Sequence, residues 1–377
     1  MKRILIITLG LVLPAALFAV APVKKKVSAK STHVSTKRPP VKALTATAKS
    51  KTFRAKRTYY SPWDTPTFAD STWGDVVEGE DLVVRRAAVQ ALGPYNGSVV
   101  VVNPATGRVL SMVNQKLALT GAYQPCSTIK LVAGLAGLSE GIIERETHFR
   151  LSPGRSMDLT TALAKSNNLY FANIGEKLGF EKVNHYGRLL GLGEKSGLDI
   201  AGESAGIFPE EKPKGVPMGM MTSFGESIGL TPLQLAAMVS TIANGGTLYY
   251  LQYPRNQEEA LSMVPKVKRK LDVESQLPNM KPGMMGAVDF GTARRAAYDV
   301  NEPIFGKTGT CTDSRTHLGW FGSYNEIGAT KLVVVVLLTG GKSVNGPVAA
   351  GIAGQVYKNI SQAAIAHLAP EPHILAR

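Results

Sequence analysis

Acidic residues are missing from the first 63 positions of this 377-residue chain, a stretch that holds 14 lysines and arginines. The remainder carries 29 basic residues against 28 acidic ones, so the formal net charge of +15 belongs to the N-terminal stretch. A nucleic-acid binder needs its basic residues on a folded face, and the location of the charge excludes that role. Cysteine is almost absent: only Cys126 and Cys311 occur, which rules out a disulfide-dense scaffold and leaves at most one internal bridge. The six histidines are scattered and match no metal-ligand spacing. There is no internal repeat and no phosphate-binding glycine loop, so solenoid architectures and P-loop chemistry fall away. No metal and no organic cofactor is expected. What is left is a globular composition, 44% hydrophobic and 19% charged.

The basic stretch opens like an export signal. Met1-Lys2-Arg3 precedes an apolar run from Ile4 to Ala21 that ends in Ala19-Val20-Ala21, a small-residue cleavage pattern. Pro22 and Lys24-Lys25-Lys26 follow at once, and the run approaches the roughly 20 residues that span a bilayer. Residues 1–21 therefore read as a signal peptide or an N-terminal membrane anchor, and the chain as extracytoplasmic, anchored or secreted. Residues 22–58 are rich in Lys, Ser, Thr, Pro and Ala and read as a disordered basic linker. Such a polycation also suits anionic wall polymer or lipid headgroups. Residues 59–95 are a lead-in, and 96–377 the folded domain.

That domain alternates strand and helix patterns. Ser98 to Asn103 and Arg108 to Val113 read as a hairpin across Pro104-Ala-Thr-Gly107. Helices are expected over Ser127–Leu138, Leu159–Leu178, Lys182–Leu190 and Thr231–Asn244, the last opened by Thr231-Pro232 and stopped by Gly245-Gly246. Pro303–Thr310, Leu318–Tyr324 and Leu332–Thr339 read as strands, and Pro347–Ala366 as a closing helix. Unbroken runs such as Leu332-Val-Val-Val-Val-Leu-Leu338 predict a sheet covered on both faces, assembled from both ends of the domain.

Candidate chemistry starts at Ser127-Thr-Ile-Lys130. A serine and a lysine three apart on a helix share a face. The lysine can take the serine proton only if burial or a neighbouring cation lowers its pKa. A proton relay calls for a second hydroxyl, and S-x-N occurs at Ser166, Ser323 and Ser343. Docking a carboxylate calls for a cationic strand edge, and K-[ST]-G occurs at Lys195 and Lys307. Lys195 sits in a glycine-rich turn, whereas Lys307 lies in a strand-like run. There Thr308 and Thr310 point the same way and Gly309 leaves room for a ligand backbone. Ser127/Lys130, Ser166/Asn168 and Lys307/Gly309 give the order found in penicillin-binding proteins and class A β-lactamases.

The domain resembles the transpeptidase domain of penicillin-binding proteins. Supporting runs are Leu159 to Phe171, Gly191-Leu-Gly193, Gly202-Glu203, Pro209, Ile228 to Ala236, Ile242 to Gly246 and Gly291-Thr-Ala293. The resemblance implies a mixed α and β fold, β-lactamase/transpeptidase-like: a five-stranded antiparallel sheet flanked by helices plus an all-helical subdomain. It implies that Ser127 attacks a D-Ala-D-Ala stem peptide of peptidoglycan and that β-lactam antibiotics acylate it. Lys130 would be the base, and Ser166 with Lys307 would return the proton. Asn168 would hold the peptide, Thr308, Gly309 and Thr310 its C-terminal end, and the N–H groups of Ser127 and Thr310 the oxyanion.

The resemblance covers a minimal catalytic domain on a tether, with no glycosyltransferase module and no assigned partner polymerase. Alternative outcomes for the acyl-enzyme are hydrolysis, as in a D,D-carboxypeptidase or β-lactamase, or little turnover, as in a sensor. Class A β-lactamases use a Glu-x-x-x-Asn pair on the deacylating water, but Ile207 stands four residues after Glu203. Class D enzymes carry S-x-V where this chain has Ser166-Asn-Asn168. Class A serine carbapenemases carry bridged cysteines at the offsets of Cys126 and Cys311, and an exported chain meets the oxidising conditions that such a bond needs. A Cys126–Cys311 disulfide is therefore expected, the alternative being two separate buried thiols.

Overall fold

The computed structural model describes residues 65–326 and 331–368. The expected signal or anchor and the basic linker lie outside the described residues. Among the described residues no helix is long and apolar enough to cross a membrane.

The first half of the domain runs α1 (Leu82–Leu92), β1 (Gly97–Asn103), β2 (Arg108–Val113), α2 (Gln115–Thr120), α3 (Lys130–Ser139), β3 (Phe149–Ser152), β4 (Arg155–Met157), α4 (Leu159–Ala164) and α5 (Asn168–Leu189). It continues with α6 (Met218–Phe224), α7 (Pro232–Ala243), β5 (Thr247–Tyr249), α8 (Gln257–Ser262), β6 (Val267–Lys270) and α9 (Leu277–Asp289). Three strands and a helix close it: β7 (Ile304–Thr312), β8 (His317–Asn325), β9 (Val333–Gly340) and α10 (Gly346–Leu368). The main sheet has the order β2-β1-β9-β8-β7, and every neighbouring pair is antiparallel. Early and late strands thus meet at β1–β9, with Val99 opposite Val336 and Val101 opposite Val334.

The apolar runs bury both faces by simple alternation. Val100, Val102, Val333, Val335 and Leu337 join the core shared with α3, α5 and α7. Val99, Val101, Val334, Val336 and Leu338 join a second core beneath α1 and α10. Local signals set the ends of the elements. The β1–β2 turn closes with Gly107 N–H donating to Asn103 O at 2.9 Å. Helix α7 starts with a reciprocal box in which Thr231 and Gln234 each satisfy the other's backbone N–H.

Three expectations change. The helix predicted from Ser127 begins instead as a 3-10 turn, Cys126–Ile129, that runs into α3. The helix predicted over Leu159–Leu178 breaks at Ser166, whose φ is 54°. Asp158 caps α4 and Asn167 caps α5, so side-chain caps supply two helix starts where periodicity suggested one. Residues after Leu178 then join α5 across a kink at Gly179.

The lead-in is also part of the fold rather than a preface to it. Val84, Ala88 and Leu92 of α1 pack in the second core. Its polar groups seal the outer margin of β2: Asp81 N–H donates to Leu110 O at 2.9 Å, and Met112 N–H donates to Glu80 Oε1 at 2.9 Å. Arg85 Nη1 donates to Met112 O at 3.0 Å. Glu80 is fully buried, and that burial raises its pKa. The opposite margin is β7.

Candidate active site

Ser127 is half-buried in the 3-10 turn, which the chain enters from Tyr123, backbone-paired with Leu230. A left-handed residue, Cys126 with φ 51°, makes the corner. Few non-glycine residues adopt that region, and this one is held from outside. A disulfide joins Cys126 to Cys311 of β7, with Cα atoms 5.6 Å apart. Trp320 Nε1 of β8 donates to Gln124 O at 3.0 Å, and Thr128 Oγ1 donates to Pro125 O at 2.7 Å. A Cβ on Gly309 would stand 2.9 Å from Pro125 O and 3.2 Å from Thr128 Cγ2. The missing side chain at Gly309 therefore seats the serine turn against β7, whereas the sequence suggested room for a ligand.

Lys130, the first residue of α3 and three residues after Ser127, is fully buried. Its Nζ lies 3.0 Å from Ser127 Oγ, 3.1 Å from Ser166 Oγ and 2.8 Å from Ser166 O. Asn168 Oδ1 at the start of α5 is 2.5 Å away. An ammonium donates three bonds and accepts none, whereas a neutral amine donates two and accepts one, so Ser127 O–H can donate to Nζ only when Lys130 is neutral. Burial brings the Lys130 pKa down to about 7. Phe171 offers its ring face at 5.7 Å, a weak substitute for a counter-ion.

Lys307, also fully buried, enters from β7 and donates to Ser166 Oγ at 2.8 Å and to Thr308 O at 2.9 Å. Its pKa is lowered well below the ordinary lysine value by burial first and by the Lys130 charge second. Among the described residues neither lysine forms an ion pair with a carboxylate. Two amines share one hydroxyl, and the left-handed turn at Ser166 is what points that hydroxyl between them.

Ser127, Lys130, Ser166, Asn168, Lys307 and Thr308 are thus brought together, with Thr310 two residues along the same edge strand. Thr310 is exposed, and its Oγ1 accepts from Gly346 N–H at 2.8 Å. The competing triplets are elsewhere. Lys195 is exposed, Ser323 is buried in β8 and donates to Val334 O, and Ser343 is exposed. Sequence reasoning gave no role to Thr292, whose Oγ1 is 2.6 Å from Thr308 Oγ1, or to Trp320. The Gly291-Thr-Ala293 run was the available signal for the first. No spacing rule points to the second. Glu203 is buried and accepts from the N–H groups of Gly197 and Leu198 at 3.0 and 3.1 Å.

S-x-x-K, S-x-N and K-T-G side chains converging on the margin of a helix-covered antiparallel sheet define a domain of the serine penicillin-recognising class. The family model for the penicillin binding protein transpeptidase domain matches residues 97–360, and the chain belongs to that family. Stage V sporulation protein D of Bacillus subtilis is 28% identical over 311 residues, covering 71% of this chain and 48% of that protein. Peptidoglycan D,D-transpeptidase MrdA of Acinetobacter baumannii is 25% identical over 304 residues, covering 64% of this chain and 45% of that protein. The chain thus spans about half the length of these curated relatives. The crystal structure of Pseudomonas aeruginosa PBP2 in complex with WCK 5153 has the same fold, with a TM-score of 0.63, 23% identity and 79% coverage of each chain. The family and the fold expected from the sequence are borne out.

Proposed function

We propose that the chain is a serine D,D-transpeptidase that acts on D-Ala-D-Ala stem peptides of peptidoglycan and is trapped covalently by β-lactams. The observation that carries this reading is the shared hydroxyl: Lys130 and Lys307 both reach Ser166 Oγ, while Lys130 alone also reaches Ser127 Oγ. Neutral Lys130 takes the Ser127 proton as Oγ attacks the penultimate D-Ala carbonyl. A C–O bond forms, and collapse of the tetrahedral intermediate breaks the C–N bond to the terminal D-Ala. The proton passes from Lys130 through Ser166 Oγ to the leaving amine, with Lys307 holding the relay hydroxyl.

The oxyanion falls to the N–H groups of Ser127 and Thr310. Support comes from strand geometry: Thr308 O accepts from Lys307 at the open margin. Backbone groups two residues apart face the same margin, so Thr310 N–H shares that margin. Asn168 orients the peptide, and Thr308 and Thr310 receive its terminal carboxylate. An amine acceptor then gives the cross-link, and water gives carboxypeptidase chemistry. Glu203 has its carboxylate committed to Gly197 and Leu198, which favours a long-lived penicilloyl-enzyme over β-lactamase turnover. The site works outside the cytoplasm, and the basic charge of residues 22–58 suits anionic wall polymer or the membrane surface.

The test is labelling with a fluorescent penicillin. Ser127→Ala should remove all label while the far-UV circular dichroism stays that of the wild type. Label that persists, or label mapped by peptide mass to another serine, would refute the assignment.

A further inference from the structure

The Gly291-Thr292-Ala293 turn links the second and third motifs. It leaves α9 with Gly291 wedged in place, since a Cβ there would stand 2.1 Å from Ala164 O and 2.7 Å from Ala287 Cα. Thr292 N–H donates to Ala164 O at 3.1 Å, and Ala293 N–H to Ala287 O at 2.7 Å. Ala164 ends α4, two residues before Ser166. The turn that carries Ser166 therefore also fixes the backbone of Thr292. From this seat Thr292 reaches across to β7, where its Oγ1 meets Thr308 Oγ1 at 2.6 Å.

The count of protons gives this contact a direction. A threonine hydroxyl has one proton and two lone pairs. Thr310 Oγ1 already accepts from Gly346 N–H, which leaves its own proton to point outward. Thr308 reaches the same state when Thr292 is the donor of the pair. The pair then holds two protons, uses one between its members and keeps the other on Thr308. A carboxylate is an acceptor only, so its arrival selects this arrangement, and a hydroxyl that already accepts a bond donates more strongly to an anion. Thr308 is only 4% exposed, so few other partners can set its orientation.

We propose that Thr292 is a positioning residue for the acyl donor's terminal carboxylate: it donates to Thr308 Oγ1 and so leaves Thr308, beside Thr310, to donate to that carboxylate. This rests on the carboxylate reading given above for Thr308 and Thr310. The ligand class is a peptide C-terminus or the equivalent carboxylate of a β-lactam.

The experiment compares benzylpenicillin with its methyl ester, which masks the carboxylate. Second-order acylation of the full chain is followed by intact mass for the wild type, Thr292→Val, Thr292→Ser and Thr308→Val. The acid-to-ester rate ratio of Thr292→Val should fall about 3–10-fold, the scale of one neutral hydrogen bond, and Thr292→Ser should keep the wild-type ratio. If Thr308→Val lowers the ratio and Thr292→Val does not, the role given to Thr292 is wrong and the carboxylate reading stands. If neither lowers it, the carboxylate reading fails and this inference with it. Thr292→Ser checks folding at the position, because it keeps the hydroxyl in a smaller side chain.

Discussion

Lowering the pH from about 8 to about 5 should slow acylation of Ser127 roughly 100-fold, because it protonates the base. With the Lys130 pKa at about 7, about nine-tenths of the enzyme holds a neutral amine at the upper pH and about one-hundredth at the lower. At the ordinary lysine value of 10.5, only about one molecule in 3,000 would be competent at pH 7. The sign follows from the neutral amine being the working form, so the rate rises with pH through about 7. The assay is the second-order rate of penicillin labelling across that range, with Ser127→Ala as the blank. Lys307→Met should leave the midpoint near 7 whatever it does to the plateau, because burial alone lowers the Lys130 pKa and the repulsion between the two lysines falls on Lys307. A flat profile between pH 5 and 8, or a midpoint near 10, would refute the idea that a buried amine is the base. The same shift bears on folding. The native state prefers the neutral amine and the unfolded state titrates near 10.5. Below about pH 7 the native protein therefore carries the full cost, roughly 5 kcal/mol for Lys130. Raising the pH towards 10.5 relieves it.

Glu203→Gln should lower stability by about 1–3 kcal/mol in urea denaturation, since a buried carboxylate serving two N–H groups is replaced by an amide that accepts with one oxygen. The lifetime of the penicilloyl-enzyme should not change; a lifetime lengthened tenfold would return Glu203 to deacylation. Thiol alkylation of denatured, unreduced protein should add no mass. The Cys126→Ser/Cys311→Ser variant should lose stability, up to the about 5 kcal/mol that the chain-entropy model gives for a crosslink with a separation of 185 residues. Acylation should slow further than a global loss of folding explains, because the left-handed corner before Ser127 loses its tether. A double variant that acylates at the wild-type rate would contradict that coupling.

The sequence carried most of the sheet because its strands are long valine-rich runs buried on both faces, and because a glycine turn marks the β1–β2 hairpin. Helix α7 was equally plain from Thr231, Pro232 and the paired glycines. What stayed hidden depends on contacts or on broken rules. Helix α9 contains Pro278 and Pro282, a residue type that disfavours a helix interior, yet Pro278 falls in the first turn and the packing of Met280 and Met284 holds the rest. Helix α1 offers no long apolar run, and its start at Asp81 is fixed partly by pairing with β2. At the site, motif order selected Ser127, Lys130, Ser166 and Lys307 from several candidates, because their types and spacings suit one chemistry. The break at Ser166 and the wedged Gly309 were not legible. Each answers to a neighbour more than 30 residues away in sequence, Lys130 for the serine and Pro125 for the glycine.

The two margins of the main sheet are treated in opposite ways, and this gives the molecule a polarity. Along β2, Leu110 O and both backbone groups of Met112 are paired with Asp81, Glu80 and Arg85, and Val109 N–H is paired with Gln252 O. Along β7 they face the reaction centre. An unsaturated strand is a template on which another extended chain can dock by main-chain pairing alone. A sheet with two such margins would invite stacking of copies end to end, with each nucleophile blocked by a neighbour's back edge. Sealing one side leaves a single docking berth, and it lies beside Ser127. The segment ahead of the matched family region thus covers the margin of the sheet that lies opposite Ser127.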